Sequence, residues 1–152
     1  MVTTRALVAS DLETVCAHRE AMFRETGRSE ALLQQMAEPF RAWLRPRLAD
    51  GSYFGFLAEA GERVVGGVGL ILLDWPPHPW HPVHHRRGYV LNVYVEPPSR
   101  RCGIARRLMA DAEAELRTRG IPYGSLHATE MGRALYEALG WHATKEMAKG
   151  LV

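Results

Sequence analysis

Residues suited to chemistry gather at one junction near the middle of the chain. Val93-Tyr94-Val95-Glu96-Pro97-Pro98-Ser99-Arg100-Arg101-Cys102-Gly103-Ile104-Ala105 reads as a strand, then a short loop holding two arginines and a glycine, then a helix start. The first turn of a helix carries unpaired N–H groups and the positive end of the macrodipole. Consecutive amides in such a turn suit an anion, phosphate above all. Gly103 and the small Ala105 let a phosphate approach the backbone, and Arg100, Arg101, Arg106 and Arg107 add positive charge. Two readings stand side by side: a phosphate-binding turn, or a plain strand–helix joint with a solvated basic patch. Cys102 sits where a thiol pKa falls. No His or Asp is placed to form a triad with it, so it reads as a small residue that supplies backbone.

A second unusual segment is Asp74-Trp75-Pro76-Pro77-His78-Pro79-Trp80-His81-Pro82-Val83-His84-His85, with two tryptophans, four prolines and four histidines. Imidazole is a common metal ligand, but the spacing fits no structural zinc pattern and both cysteines lie far away. No metal is expected. The loop reads either as a stiff connector or as a wall that offers flat apolar area from Trp75 and Trp80.

The elements that must position these residues follow from period and punctuation. Thr3 to Ala9 suggests an edge strand. Ser10 with Glu13 has capping-box spacing ahead of a helix from Asp11 to about Arg24, with Leu12, Val15, Cys16 and Arg19 on neighbouring turns and Gly27 as its stop. Ser29 caps a second stretch, Glu30 to about Leu48. Pro39 and Pro46 predict two pieces or a kink there. Tyr53 to Glu59 and Arg63 to Leu73 form a hairpin about Ala60-Gly61-Glu62, the second strand rich in glycine. Arg87 to Val95 is a strand stopped by Pro97 and Pro98. Gly103 to Arg119 is a helix with Ile104, Leu108, Ala112 and Leu116 on one face, ended by Gly120 and Pro122. Ser125 to Ala128 is a short strand, Gly132 to Leu139 a short helix, and Trp141 to Met147 a last strand. The order is β-α-α-β-β-β-α-β-α-β, a mixed α/β (α+β) sheet with helices on its faces and a right-handed crossover at the end.

Composition bounds the rest. The chain has 152 residues, 47% hydrophobic and 24% charged, with a net charge of +2. These are ordinary globular values that exclude a disordered or fibrous chain and suggest a single domain over residues 1–152. Two cysteines are too few for a disulfide scaffold, which points to a reduced, cytoplasmic setting. No apolar run is long enough to span a membrane, and the start lacks the apolar stretch of a signal peptide. Near-balanced charge argues against nucleic acid as a partner, which usually requires a basic stripe.

Arg100-Arg101-Cys102-Gly103-Ile104-Ala105 matches the pattern Arg/Gln-x-x-Gly-x-Gly/Ala, and Ala134-Leu135-Tyr136-Glu137-Ala138-Leu139-Gly140-Trp141 resembles a closing helix of the form Tyr-x-x-x-Gly-Phe/Trp. Both are features of the GNAT superfamily of acyl-CoA-dependent N-acetyltransferases. The motifs stand in order, about thirty residues apart, and the element order resembles that fold over almost the whole chain. The Gly67-x-Gly69 pair is no dinucleotide fingerprint, because it lies inside a strand and opens no helix.

The resemblance implies acetyl-CoA as cosubstrate and a sheet whose fourth and fifth strands splay apart. The amides from Arg101 to Arg106, which include Cys102, Gly103, Ile104 and Ala105, would hold the pyrophosphate. The pantetheine arm would lie along Val93, Tyr94 and Val95, where a bulge commonly aims an amide at the thioester carbonyl. Tyr136 matches the tyrosine that protonates the leaving thiolate; a phenol of pKa about 10 can do so. An alkyl amine costs about 4.6 kcal/mol to deprotonate at pH 7, so a base helps. Glu130, His127, Glu59 and the His84–His85 pair are candidates, with Glu130 preferred because its turn borders the slot. The asparagine that many members place after the fifth strand is missing, and Thr129 or Arg133 stands in its place. Trp75, Trp80, Asn92 and His127 are expected to touch the acceptor, a primary amine on a small molecule or peptide. A homodimer is a common assembly in the superfamily. The alternative to an enzyme is a non-catalytic acyl-CoA sensor on the same fold.

Overall fold

The computed structural model describes residues 1–152. Nine main elements follow one another: β1 (Val2–Ala6), α1 (Leu12–Glu25), α2 (Glu30–Asp50), β2 (Tyr53–Ala60), β3 (Arg63–Asp74), β4 (Arg86–Val95), α3 (Ile104–Thr118), β5 (Gly124–Leu126) and α4 (Glu130–Ala138). The sheet order is β1-β2-β3-β4-β5. Its first three pairings are antiparallel and the last, β4 with β5, is parallel. No helix is long and apolar enough to cross a membrane.

Strand alternation divides the interior into two layers. Phe54, Leu70, Val90 and Val95 face α3 and meet Ile104, Leu108, Ala112 and Leu116, the four-residue repeat on its inner face. Tyr53, Ile71 and Leu91 face the other way, against Val15 and Cys16 of α1 and Leu44 and Leu48 of α2. Leu44 and Leu108 are fully buried, so truncating either to Ala removes about 2–5 kcal/mol of stability.

Four local expectations are corrected. Ser10 does not cap α1. It lies in a single 3-10 turn, Ala9–Asp11, and Asp11 takes the anchoring role. The Asp11 carboxylate accepts two hydrogen bonds from Arg5 at 2.8 and 2.9 Å and one from the Val8 amide at 2.8 Å. Burial alone would raise the Asp11 pKa, but the Arg5 guanidinium and Val8 amide hold it below the usual carboxylate value. Second, α2 runs unbroken through Pro39 and Pro46. Each proline forfeits a backbone bond, but Leu33, Leu44 and Leu48 are buried along the helix. Near Pro46 the Arg47 guanidinium donates to the Trp43 carbonyl at 2.7 Å.

Third, the last strand expected over Trp141–Met147 does not form; the chain from Trp141 onward adds no pairing to β5. Trp141 itself is held, its indole N–H donating to Glu113 at 2.9 Å. The following His142-Ala143-Thr144-Lys145-Glu146 carries no apolar alternation to bury, and β5 offers an edge only three residues long. Fourth, the first strand stops at Ala6 rather than Ala9. By contrast, Ser29 caps α2 as expected, accepting from the Leu32 amide at 3.3 Å.

Candidate active site

The turn between β4 and α3 is built from unusual backbone. Arg101 (φ 62°) and Gly103 (φ 78°) both adopt the left-handed conformation. Gly103 is the residue before the helix, and a Cβ there would project into open space. The amides of Arg101, Cys102, Gly103, Ile104, Ala105 and Arg106 donate to no acceptor in the protein; the first bonded amide of the helix is Arg107, to the Gly103 carbonyl at 3.0 Å. A continuous row of free N–H groups at a helix N-terminus is an anion cradle. Arg101 and Arg106 are exposed beside it. Arg100 serves another purpose. Its Nε donates to the Val95 carbonyl at 2.8 Å and its Nη2 to Glu25 at 2.6 Å, so it braces the turn against β4 and α1. The Cys102 thiol donates to the Arg100 carbonyl at 3.4 Å.

An open strand edge leads away from that turn. β4 pairs with β5 only where Gly88, Tyr89 and Val90 face Gly124, Ser125 and Leu126. From Leu91 to Val95 its outer edge has no strand partner, and the two strands splay. On the other edge the β3 register jumps: Gly67 faces Tyr94 but Gly69 faces Leu91, so Asn92 and Val93 together oppose Val68. This is a β-bulge, which bends and twists the strand locally. Asn92 makes it with φ 55°, a conformation that asparagine tolerates better than most residues.

The bulge puts Leu91 and Asn92 on the same face, toward α1 and α2. There Asn92 is buried. Its amide donates to the Tyr53 hydroxyl at 2.8 Å and its carbonyl accepts from Arg19 at 2.7 Å. Burial pushes the Tyr53 phenol up to about 12. Tyr53 fits because Gly69 lies beneath it: a Cβ on Gly69 would stand 1.9 Å from the hydroxyl. Tyr94, next along β4, turns toward α1, where its ring lies 5.0 Å from that of His18. Val93 and Val95 face α3.

On the far side of the splay, α4 begins at Thr129, whose hydroxyl accepts from the Gly132 amide at 3.2 Å. Tyr136 packs over Gly132 and against the α3-side core. Its hydroxyl has no hydrogen bond within the protein, and burial raises its pKa, so the phenol keeps its proton across neutral pH. Tyr136, Arg133 and His127 border a cavity of about 620 Å³, which also touches Trp80 and Trp141. That cavity opens along the outer edge of β5, where the expected last strand is absent, and it does not include the Arg101–Arg106 turn. Glu130 is exposed on the first turn of α4 and does not line it.

His127 is better connected. The Tyr89 hydroxyl hydrogen-bonds His127 Nδ1, and His127 Nε2 lies 2.9 Å from a Glu146 carboxylate oxygen. With Nε2–H donating to Glu146, Nδ1 is left as the acceptor for the phenol. Burial is the main cause that raises the Tyr89 pKa, followed by Glu146. Tyr89 and Glu146 escaped the sequence reading because they lie 38 and 19 residues from His127. The one available signal was Tyr89 sharing a strand face with Leu91.

The Trp/Pro/His loop stands at the start of β4, at the opposite end from the anion turn. His81 is buried at its centre; its Nδ1 bonds the His84 carbonyl at 3.0 Å and its Nε2 accepts from Arg87 at 3.0 Å. Arg87 is stacked between Trp75 and Tyr123, 4.1 and 4.7 Å from their ring centroids. Trp75 is thus part of a cation–π clamp on the loop, while Trp80 reaches the cavity. No three His, Cys, Asp or Glu side chains come together to hold a metal ion.

Comparison with known proteins agrees with this geometry. No curated protein matches the chain. A crystal structure of a GCN5-related N-acetyltransferase from Ralstonia eutropha JMP134 is 54% identical, with 99% of each chain covered and a TM-score of 0.98. A predicted acetyltransferase from Clostridium acetobutylicum, solved with acetyl-CoA, shares the fold at 23% identity and TM-score 0.89, over 98% of this chain and 95% of that one. An aminoglycoside acetyltransferase from an uncultured soil metagenomic sample shares it at 20% identity and TM-score 0.76, over 100% and 99%. The model of the acetyltransferase (GNAT) family matches residues 13–141, which span the bulged β4, the free-amide turn and Tyr136, and the chain belongs to that family.

Proposed function

We propose that the protein transfers the acetyl group of acetyl-CoA directly to a primary amine of a small molecule or peptide. The observation that carries this reading is the run of unbonded amides from Arg101 to Arg106, placed at the end of an open strand edge. The row suits a diphosphate, with Gly103 leaving room for close approach. Arg101 and Arg106 add charge at its rim. The unpaired edge of Val93, Tyr94 and Val95 offers backbone groups to the amides of a pantetheine arm, as an added strand would. The bulge at Asn92–Val93 frees backbone from the ladder to meet a developing oxyanion.

In this reading the amine nitrogen attacks the thioester carbonyl, the C–S bond breaks, and the thiolate takes its proton from Tyr136. Burial keeps the phenol protonated at neutral pH, so the proton is present to be transferred. The proton lost by the amine passes to His127, through Tyr89 or water, with Glu146 steadying the imidazolium. Glu130, free of any partner and outside the cavity, is the weaker base. Arg133 and Trp80, on the cavity wall, are left to flank the cosubstrate and acceptor. The alternative, a sensor that binds acyl-CoA without turnover, is separated by an acetyl-CoA turnover screen with thiol detection across polyamines, aminoglycosides, amino acids and peptides. Turnover that Tyr136→Phe abolishes while cofactor affinity is kept supports the enzyme; bound cofactor with every amine inert supports the sensor.

A further inference from the structure

Behind the β4 bulge, between α1, α2 and the sheet, Arg19 carries a positive charge that no acid in the protein balances. Its Nη1 donates to the Asn92 side-chain carbonyl at 2.7 Å, a neutral partner already engaged with Tyr53. The rings of Phe23 and Phe40 flank the guanidinium, 4.9 and 4.6 Å from its central carbon. Nε is buried with no hydrogen-bond partner, and Nη2 makes no bond within the protein. The contrast is with Arg5, Arg24, Arg41 and Arg100, each of which meets a carboxylate at 2.5–2.8 Å.

Chemistry narrows what this site would take. Guanidinium stays protonated even where burial lowers its pKa, as it does for Arg19. A half-dry, unpaired cation costs folding free energy that a methionine or leucine of similar volume would not. The unused donors are Nε–H and Nη2–H, which share one edge of the planar group. That edge presents two parallel N–H bonds, the geometry that matches both oxygens of a carboxylate. Its location suits an acceptor: Asn92 is the bulge residue itself, and Arg19 acts electrostatically on Tyr89, the phenol that bonds His127. The flanking phenylalanines hold the guanidinium between their rings, and its partial burial strengthens any ion pair formed there.

We propose that Arg19 binds the carboxylate of the acceptor, so that the amine acetylated by this protein belongs to an amino acid or a similar small amino carboxylate. This rests on the acetyl-transfer reading of the same site and names its substrate class. The test uses the intact protein and matched pairs: each of the common amino acids against its own carboxamide, which keeps the amine and side chain but loses the charge. The expected result is a kcat/KM at least 10-fold higher for the best amino acid than for its carboxamide, in line with charge-assisted hydrogen bonds.

Arg19→Gln should bring the two values together, and Arg19→Lys, which keeps the charge without the fork, should restore only part of the gap. A merely structural role for Arg19 would lower both members of a pair alike and leave their ratio unmoved. Calorimetry with the corresponding N-acetyl amino acid gives a readout that needs no turnover, and binding lost in Arg19→Gln but only weakened in Arg19→Lys supports the site. Acetylation of amines with no preference for the carboxylate overturns the inference and leaves acetyl transfer standing. Arg19-dependent binding of the N-acetyl amino acid, with no amine ever acetylated, upholds the carboxylate site and overturns acetyl transfer.

Discussion

Gly103 and Gly120 stand at the two ends of α3 with nearly the same backbone, φ 78° and 69°, and a Cβ at either would meet nothing within 4 Å. Replacing either with alanine therefore carries the same intrinsic penalty, about 1 kcal/mol for placing a side chain in the left-handed region. In a chain of this size that lowers Tm by roughly 2–4 °C. The two variants should separate on cofactor binding. At Gly120 the added methyl enters solvent, far from the anion turn. At Gly103 it enters the space over the free amides of Arg101–Arg106 and holds a diphosphate away from them. Lengthening charge-assisted bonds worth about 1.5–3 kcal/mol each should weaken acetyl-CoA by roughly 10- to 100-fold, at 1.4 kcal/mol per decade. Isothermal calorimetry with acetyl-CoA, alongside thermal melts, reads both effects. Equal affinities for Gly103→Ala, Gly120→Ala and the parent would refute the reasoning, because the strain would match and the position would not matter.

Further outcomes follow from the same geometry. Tyr136→Phe should lower kcat by about 100-fold or more, with cofactor affinity unchanged and stability within about 0.5 kcal/mol, since the hydroxyl makes no bond in the protein; a smaller loss of kcat in a turnover assay would remove Tyr136 from the mechanism. Tyr53 holds its proton to about 12 in the folded state against an ordinary 10. Its contribution is complete below pH 10 and is lost as pH rises through 12, roughly 2–3 kcal/mol in all; urea unfolding of parent and Tyr53→Phe at pH 8 and pH 11 should show the steeper alkaline loss only in the parent. Gly69→Ala sets a methyl 1.9 Å from the Tyr53 hydroxyl, and chemical denaturation should report a loss of about 1–3 kcal/mol. His127→Ala should lower kcat/KM by about 100-fold in a turnover assay, whereas Glu130→Ala should leave it unchanged.

Sequence alone was informative where one local rule operates unopposed. The four-residue repeat of α3, the Ser29 cap, the Gly61 hairpin and the free-amide turn all depend on neighbours close in the chain. It failed where a distant partner decides. Asp11 displaced the Ser10 capping box because Arg5 and Val8 converge on its carboxylate. The penalties at Pro39 and Pro46 were outweighed by leucines buried along the same helix. The last strand was expected from Trp141, which instead anchors alone to Glu113. At the site, Arg100 was expected to add charge to the turn, and its bonds to Val95 and the distant Glu25 were not legible from its neighbours. Asn92 was expected to touch the acceptor, but its role as bulge residue emerges only when the β3 register jumps between Gly67 and Gly69 and Tyr53, seated over Gly69, accepts from its amide.

The amide resonances of residues 101–106 report most directly on the central claim. In a proton–nitrogen NMR titration with acetyl-CoA, the account predicts that Arg101, Cys102, Gly103, Ile104, Ala105 and Arg106 exchange rapidly with solvent in the free protein. They should then shift together and gain protection as ligand is added. Resonances of this turn that stay fixed at saturating acetyl-CoA, or that are already protected without it, would contradict the account.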